Sequence, residues 1–154
     1  MSERLRLVTE YRAGLEAEIA LLRHLATLAA REREVTESER LDALDGITDA
    51  RDQVMAALVS LEATLRPIRQ ALHGLGNALH GPDILELTAL HHEAAALAEE
   101  ILAADAHSLA ALREAELARR FAAESLEKGE STLAAYRRVV MPSLTSATLV
   151  NRRG

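Results

Sequence analysis

The 154-residue sequence contains no cysteine, only three prolines and very few aromatic residues. Without cysteine there is no disulfide framework, no thiolate metal site and no thiol nucleophile. Aromatic residues make up 2% of a chain that is 49% hydrophobic, so burial must come from many aliphatic side chains rather than from a few large rings. Leucine, alanine, glutamate and arginine dominate, and this composition favours helices packed on helices.

The chain also lacks an excess of positive charge and long apolar runs. It carries 18 basic and 24 acidic residues, and its arginine-rich stretch at 31–40 is interleaved with glutamate, which is typical of a solvated helix face. We therefore expect no nucleic-acid binding. No apolar run approaches the roughly 20 residues of a membrane span, and charges as far as Glu10 interrupt any signal-peptide core. We expect a cytoplasmic protein without membrane insertion.

Recognisable catalytic and metal-binding patterns are missing as well. None of the six histidines follows a glutamate by three residues, as the helices of di-iron bundles require. In His91-His92-Glu93, neighbouring side chains point about 100° apart on a helix and do not converge on a metal. There is no Gly-x-Ser-x-Gly elbow and no phosphate-binding glycine loop. The sequence predicts a protein that is not an enzyme, with no catalytic residue, cofactor or metal.

Apolar residues recur at spacings of three and four, which is the repeat of amphipathic helices. We predict long helices over 3–34 and 47–79, a short helix over 38–45 between them, and a third long helix from 82 towards 139. Pro67 should kink the second helix near 63–67 without reversing the chain, which turns instead at 80–83. The fold class is all-α: an elongated antiparallel helical bundle or coiled coil of three long helices, in one domain of residues 1–140.

Two features of the third helix stand apart from this repeat. Pro142 is expected to end the helix, so that residues 141–154 form a flexible tail. Asp105 lies on the apolar side, four residues from Ile101 and from Leu109. It is interpreted either as a structural residue, which sets the helix register or lies at the edge of the apolar repeat, or as a residue that docks a partner.

Several local patterns together resemble the FlgN-type flagellar export chaperones, over essentially the whole chain. They are a long first helix, Glu32-Arg33-Glu34, a short Leu41/Leu44 helix, Arg51-Asp52 leading to Leu58 and Leu61, Ile101-x-x-x-Asp105, and a late Gly129 with Tyr136. The resemblance implies a cytosolic chaperone that binds helical terminal segments of hook-filament junction proteins and delivers them to the export apparatus.

In that family the C-terminal part of the chaperone contacts its cargo. Carried over to this chain, the resemblance implies a partner-binding surface on the late third helix and the tail. Its residues are Phe121, Leu126, Leu133, Tyr136, Val140, Leu144, Leu149 and Val150.

The apolar repeat of the third helix is longer than the second helix can cover, and surplus apolar surface usually marks an interface. The first helix or a second copy of the chain could equally cover it. The alternative function is therefore a homodimeric coiled-coil adaptor or spacer unrelated to flagella. A spacer should keep its partners when residues 141–154 are removed, whereas a chaperone should lose its cargo.

Overall fold

A computed structural model describes residues 2–76 and 81–153, with side chains given as far as residue 139. Helix α1 spans Glu3–Glu37, a 3₁₀ turn spans Leu41–Ala43, helix α2 spans Leu44–Leu75 and helix α3 spans Gly81–Arg153. No strand occurs within these described ranges. The all-α fold class is confirmed, with three long helices and a short helical segment between the first two.

The chain divides into two compact units, Met1–Leu112 and Arg113–Gly154. The first unit contains α1, α2 and the first part of α3, and the second contains the remainder of α3. This division falls inside the region that we predicted to be one domain. Whether residues 1–140 fold as a single domain stays a prediction.

The junction between α1 and α2 differs in detail from the predicted one. α1 continues three residues beyond the predicted end, and Ser38 closes it: its backbone N–H donates to the Glu34 carbonyl at 3.0 Å, as does its hydroxyl at 2.7 Å. Glu39 then adopts a φ of 58°, a left-handed conformation that turns the chain. The short helix is reduced to one 3₁₀ turn, and Gly46 lies inside α2 instead of ending a helix.

Proline does not end either helix in which it occurs. Pro67 lies within α2, as predicted from the repeat on both sides of it, although the kink itself stays a prediction. α2 closes at Gly76, whose φ of 53° suits glycine. Leu79 and His80, which we placed at the end of α2 and in the turn, lie outside the described residues. α3 begins at Gly81, as the turn predicts.

The predicted helix end at Pro142 is wrong, because α3 continues to Arg153. Proline removes one backbone hydrogen bond and crowds the preceding turn, but a long helix can retain its other bonds on both sides. The flexibility of residues 141–154 stays a prediction.

α1 is the central helix of the first unit, because both hydrophobic clusters of that unit are built around it. One cluster joins Leu7, Val8, Tyr11 and Leu15 to Leu65 and Leu72 of α2 and Leu87 of α3. The other joins Leu25, Ala26, Leu28 and Ala29 to Val54 of α2 and Ile101 of α3. Early α1 thus meets late α2 and early α3, so α2 runs antiparallel to α1 and α3 runs parallel to it.

The side chain of Leu65 on α2 packs closely against the backbone of α1 at Gly14. A Cβ atom added at this position would lie 3.1 Å from Leu65 Cγ and would overlap the Cδ2 methyl group. Leu65 is itself one of the most deeply buried side chains, so it has little room to move aside. Glycine at this position therefore sets the spacing between the two helices.

We expect Gly14→Ala to lower the free energy of unfolding by about 1–3 kcal/mol, because the new methyl group overpacks the core. Gly46→Ala is the matched control, since nothing lies within 4 Å of its added Cβ. It should leave stability unchanged or raise it by up to about 1 kcal/mol through helix propensity. Urea denaturation followed by circular dichroism measures both changes. Equal midpoints for the two variants would rule out the close approach.

Candidate functional site

Large apolar side chains lie exposed along α3 from Leu117 to Val139. Every residue of this range is exposed, and its six largest apolar side chains are each between 56% and 77% accessible to solvent. These six are Leu117, Phe121, Leu126, Leu133, Tyr136 and Val139, and they are called here the apolar face of α3. By contrast, Leu87 and Ile101 on the earlier part of the same helix are buried against α1 and α2.

Four of the predicted partner-binding residues belong to this face: Phe121, Leu126, Leu133 and Tyr136. Val140, Leu144, Leu149 and Val150 lie within the helical range of α3, but their side chains are outside the described part. The prediction missed Leu117 and Val139, because it drew its surface from the family resemblance instead of from every apolar residue of the segment. A scan of helix positions from 113 onward would have found both.

The apolar face is broad, not a single narrow line. Leu126 and Leu133 are seven residues apart, so two helical turns bring them to nearly the same direction, and Tyr136 follows one turn later. Phe121 precedes Leu126 by five residues and points about 140° away around a straight helix. The predicted residues therefore span more than a third of the helix circumference.

Three charged residues on this part of α3, Glu116, Arg119 and Arg120, find their partners within the helix itself. Glu116 accepts hydrogen bonds from Arg119 Nη2 at 2.8 Å and from Arg120 Nε at 3.1 Å. Hydrogen bonds from Arg119 and then from Arg120 lower the pKa of Glu116 to about 2, so the carboxylate stays ionised. These three charged side chains are thus paired within α3, whereas the apolar face has no partner within the described second unit.

A partly buried ion triad joins the three helices of the first unit. Arg51 of α2 donates to both carboxylate oxygens of Asp105 on α3, at 2.6 and 2.9 Å, and to Glu32 of α1 at 2.7 Å. The hydrogen bond that Arg51 donates to Asp105 raises the pKa of Arg51 above its ordinary value, while burial opposes this. Asp105 therefore has a structural role in fixing the helices, as one of its two interpretations proposed. Its docking role stays a prediction.

A second polar network lies at the other end of α1. Arg69 donates from Nε to the Tyr11 hydroxyl at 3.0 Å and binds Glu62 at 2.7 and 3.1 Å. The Tyr11 hydroxyl also lies 3.2 Å from Nε2 of His91 on α3. The Arg69 hydrogen bond lowers the pKa of Glu62, with desolvation acting against it. The sequence predicts none of these contacts, because Tyr11 lies 58 residues from Arg69 and 80 residues from His91, and no local pattern links them.

Neither network supplies a metal site, and the described residues contain no group of three or more His, Asp or Glu side chains that could hold a metal ion. Within the same ranges, no helix is both long and apolar enough to cross a membrane. Comparison of the chain with protein-family models, curated proteins and solved structures finds no match.

Breaking the ion triad should destabilise the first unit. Arg51→Met leaves two partly buried carboxylates without their shared cation, and we expect a loss of about 1–3 kcal/mol in the free energy of unfolding. Arg33→Met is the control, because it removes only the exposed pair with Glu37 and should cost less than about 1 kcal/mol. Urea denaturation at neutral pH compares them. A triad without structural importance would give both variants the same midpoint.

The lowered pKa of Glu62 predicts how its contribution varies with pH. A carboxyl whose folded-state pKa lies below its ordinary value of 4.5 stabilises the fold above that value. The contribution is lost as pH falls through the folded-state pKa. Because the pair is about two-fifths exposed, Glu62→Gln should cost roughly 0.5–1 kcal/mol at pH 7.

The difference between the wild type and Glu62→Gln should shrink steadily below pH 4.5. Urea denaturation at a series of pH values from 7 downward measures it. A difference that stays constant, or that grows as pH falls, would contradict the assigned pairing with Arg69.

Proposed function

We propose that this protein is a cytoplasmic chaperone of flagellar type III export that binds helical terminal segments of hook-filament junction proteins. The observation that carries the proposal is the apolar face of α3, where six large apolar side chains are exposed on one helix. Monomeric soluble proteins rarely expose large continuous apolar surface unless a partner covers it.

The chemistry of this face suits a helical partner. Amphipathic segments dock through apolar side chains spaced by three, four and seven residues, and Leu126, Leu133 and Tyr136 have this spacing. A cargo segment that is disordered when free folds against such a face and loses its conformational entropy when it binds. Binding of this kind is readily reversible, as delivery to an export apparatus requires.

The first unit also bears on the family resemblance. Glu32, Arg51 and Asp105 belong to three separate sequence patterns on which the resemblance rests, and these residues contact one another in the ion triad. A physical contact gives a reason for the three patterns to occur together in one chain. The family and the cargo are both left to experiment.

A second candidate function uses the same surface. The seven-residue spacing of Leu126 and Leu133 is also the repeat of a two-stranded coiled coil, in which a second copy of the chain would cover the apolar face. The protein would then be a homodimeric adaptor or spacer without flagellar cargo.

Substitution of Leu126 and Leu133 by glutamate in the full-length chain tests the proposal. Both side chains are exposed, so the double variant should fold, as circular dichroism would verify. Co-expression with hook-filament junction proteins and size-exclusion chromatography should give a complex with the wild type. The double variant should bind at least about tenfold more weakly, because two charges replace central apolar contacts.

Val59→Glu is the matched control, because Val59 is 67% exposed on α2 in the first unit and the cargo complex should survive this change. If the wild-type chain does not co-elute with any junction protein, the chaperone proposal is wrong. If the wild type is a dimer that the double variant converts to a monomer, and no junction protein binds, the adaptor function is supported instead.

A further inference from the structure

A cleft of about 320 Å³ lies beside the ion triad, entirely within the first unit. Its walls include Glu32, Arg51, Asp52, Asp105, Ser108 and Leu112, and it is called here the acidic cleft. α1, α2 and α3 each contribute to it. It contains none of the residues of the apolar face.

Ser108 is the anomalous residue of the acidic cleft. Its side chain is only 3% exposed, yet its Oγ has no hydrogen-bond partner among the described residues. Several threonine hydroxyls in the described helices bond to the carbonyl one turn earlier, as Thr27 does with Arg23 at 3.0 Å. Buried polar atoms are nearly always paired. An unpaired hydroxyl in a cleft wall therefore points to a group that arrives from outside.

The charge of the acidic cleft indicates what that group is. The cleft is lined by three carboxylates and one guanidinium group, that of Arg51. Arg51 already donates hydrogen bonds to two of these carboxylates, Glu32 and Asp105. Asp52 is exposed and makes no ion pair within the described part of the chain. The surplus negative charge excludes an anion. The carboxylates do not form a metal-holding group there, so an organic cation with N–H donors remains.

We propose that the acidic cleft binds the guanidinium or ammonium group of a basic side chain presented by a partner protein. The cationic group pairs with Asp52 and donates to Ser108 Oγ, while its aliphatic stem packs against Leu112. One unpaired carboxylate beside an apolar wall suits a single charge on a short stem. A polyamine would need several anionic groups spaced along its length.

This inference does not rest on the proposed function, because the acidic cleft and the apolar face share no residue. Under the chaperone function, the acidic cleft would be a second contact that fixes the orientation of the partner. Complementary charge at such a position adds specificity and association rate more than affinity.

Butylguanidinium is the probe for the site, titrated into the isotope-labelled full-length protein and followed by NMR amide shifts. Saturable shifts should centre on Asp52, Ser108 and Leu112, with a dissociation constant on the order of 10 mM for so small a ligand. Butylammonium should give the same pattern. Neutral butylurea, which has nearly the same shape, should give no saturable shift.

Two variants separate binding from folding. Asp52→Asn should weaken butylguanidinium binding by about fivefold, the size of an exposed ion pair, whereas Asp42→Asn, an exposed acid in the 3₁₀ turn, should not. Ser108→Ala should weaken binding while thermal stability stays equal or rises, because it removes an unpaired buried hydroxyl. A merely structural Ser108 would not give that combination.

A protein source for the cation is tested with a short helical peptide that carries one arginine between two leucines. This peptide should compete with butylguanidinium, and the same peptide with glutamine in place of arginine should not. The proposal is overturned if butylurea binds as tightly as butylguanidinium, or if the Asp52→Asn variant binds butylguanidinium as tightly as the wild type does. It is also overturned if the arginine peptide does not compete with butylguanidinium. Spermine binding about a hundredfold more tightly than butylguanidinium would identify a free polyamine instead. None of these outcomes alters the result for Leu126 and Leu133.

Discussion

The arrangement of the first unit depends on Arg51 of α2, whose guanidinium group hydrogen-bonds to Glu32 on α1 and to Asp105 on α3. Leucine and alanine faces pack well in more than one register, because a shift by one heptad brings similar residues into contact. A bidentate bond from Arg51 to Asp105, together with the bond to Glu32, is satisfied in one register only. The apolar clusters supply the driving force for packing, and the ion triad selects among the ways of packing.

Apolar packing and a polar network are also combined at the other end of α1. Tyr11 is buried in the core, but its hydroxyl accepts a hydrogen bond from Arg69 of α2 and lies beside His91 of α3. Each of the two polar networks therefore links all three helices of the first unit. Between them, Gly14 lets the backbone of α1 approach Leu65 closely. A core that is poor in aromatic residues is thus held by close helix spacing and by two polar contacts.

The sequence predicts those parts of this fold that depend on local periodicity. Val8 and Leu15, like Leu65 and Leu72, are seven residues apart in the apolar repeat, and all four are buried. Leu5 precedes Val8 by three residues in the same repeat but lies exposed, because Leu7 and Tyr11 fill the corresponding part of the core. Helix ends were less accurate, since a serine can cap either end of a helix and a proline can be accommodated within one.

Polar partners could not be predicted, because Asp105 lies 54 residues from Arg51 and no local pattern specifies their contact. For the candidate site, the sequence indicates surplus apolar surface on late α3, but it leaves open whether α1 or a second copy of the chain covers that surface. Exposure depends on how far the neighbouring helices extend beside them, and this is a property of the folded chain.

The contrast between the two parts of α3 gives the strongest reason to look for a partner at its later part. One continuous helix buries Leu87 and Ile101 against α1 and α2, and then exposes Phe121, Leu126 and Leu133. Local ion pairs such as Glu116 with Arg119 favour the helical backbone there without any apolar contact. A face that is already helical spares a partner the cost of ordering both sides of the interface. Under the proposed function, the incoming segment would lose most of the conformational entropy on binding, and its release would not require α3 to unfold.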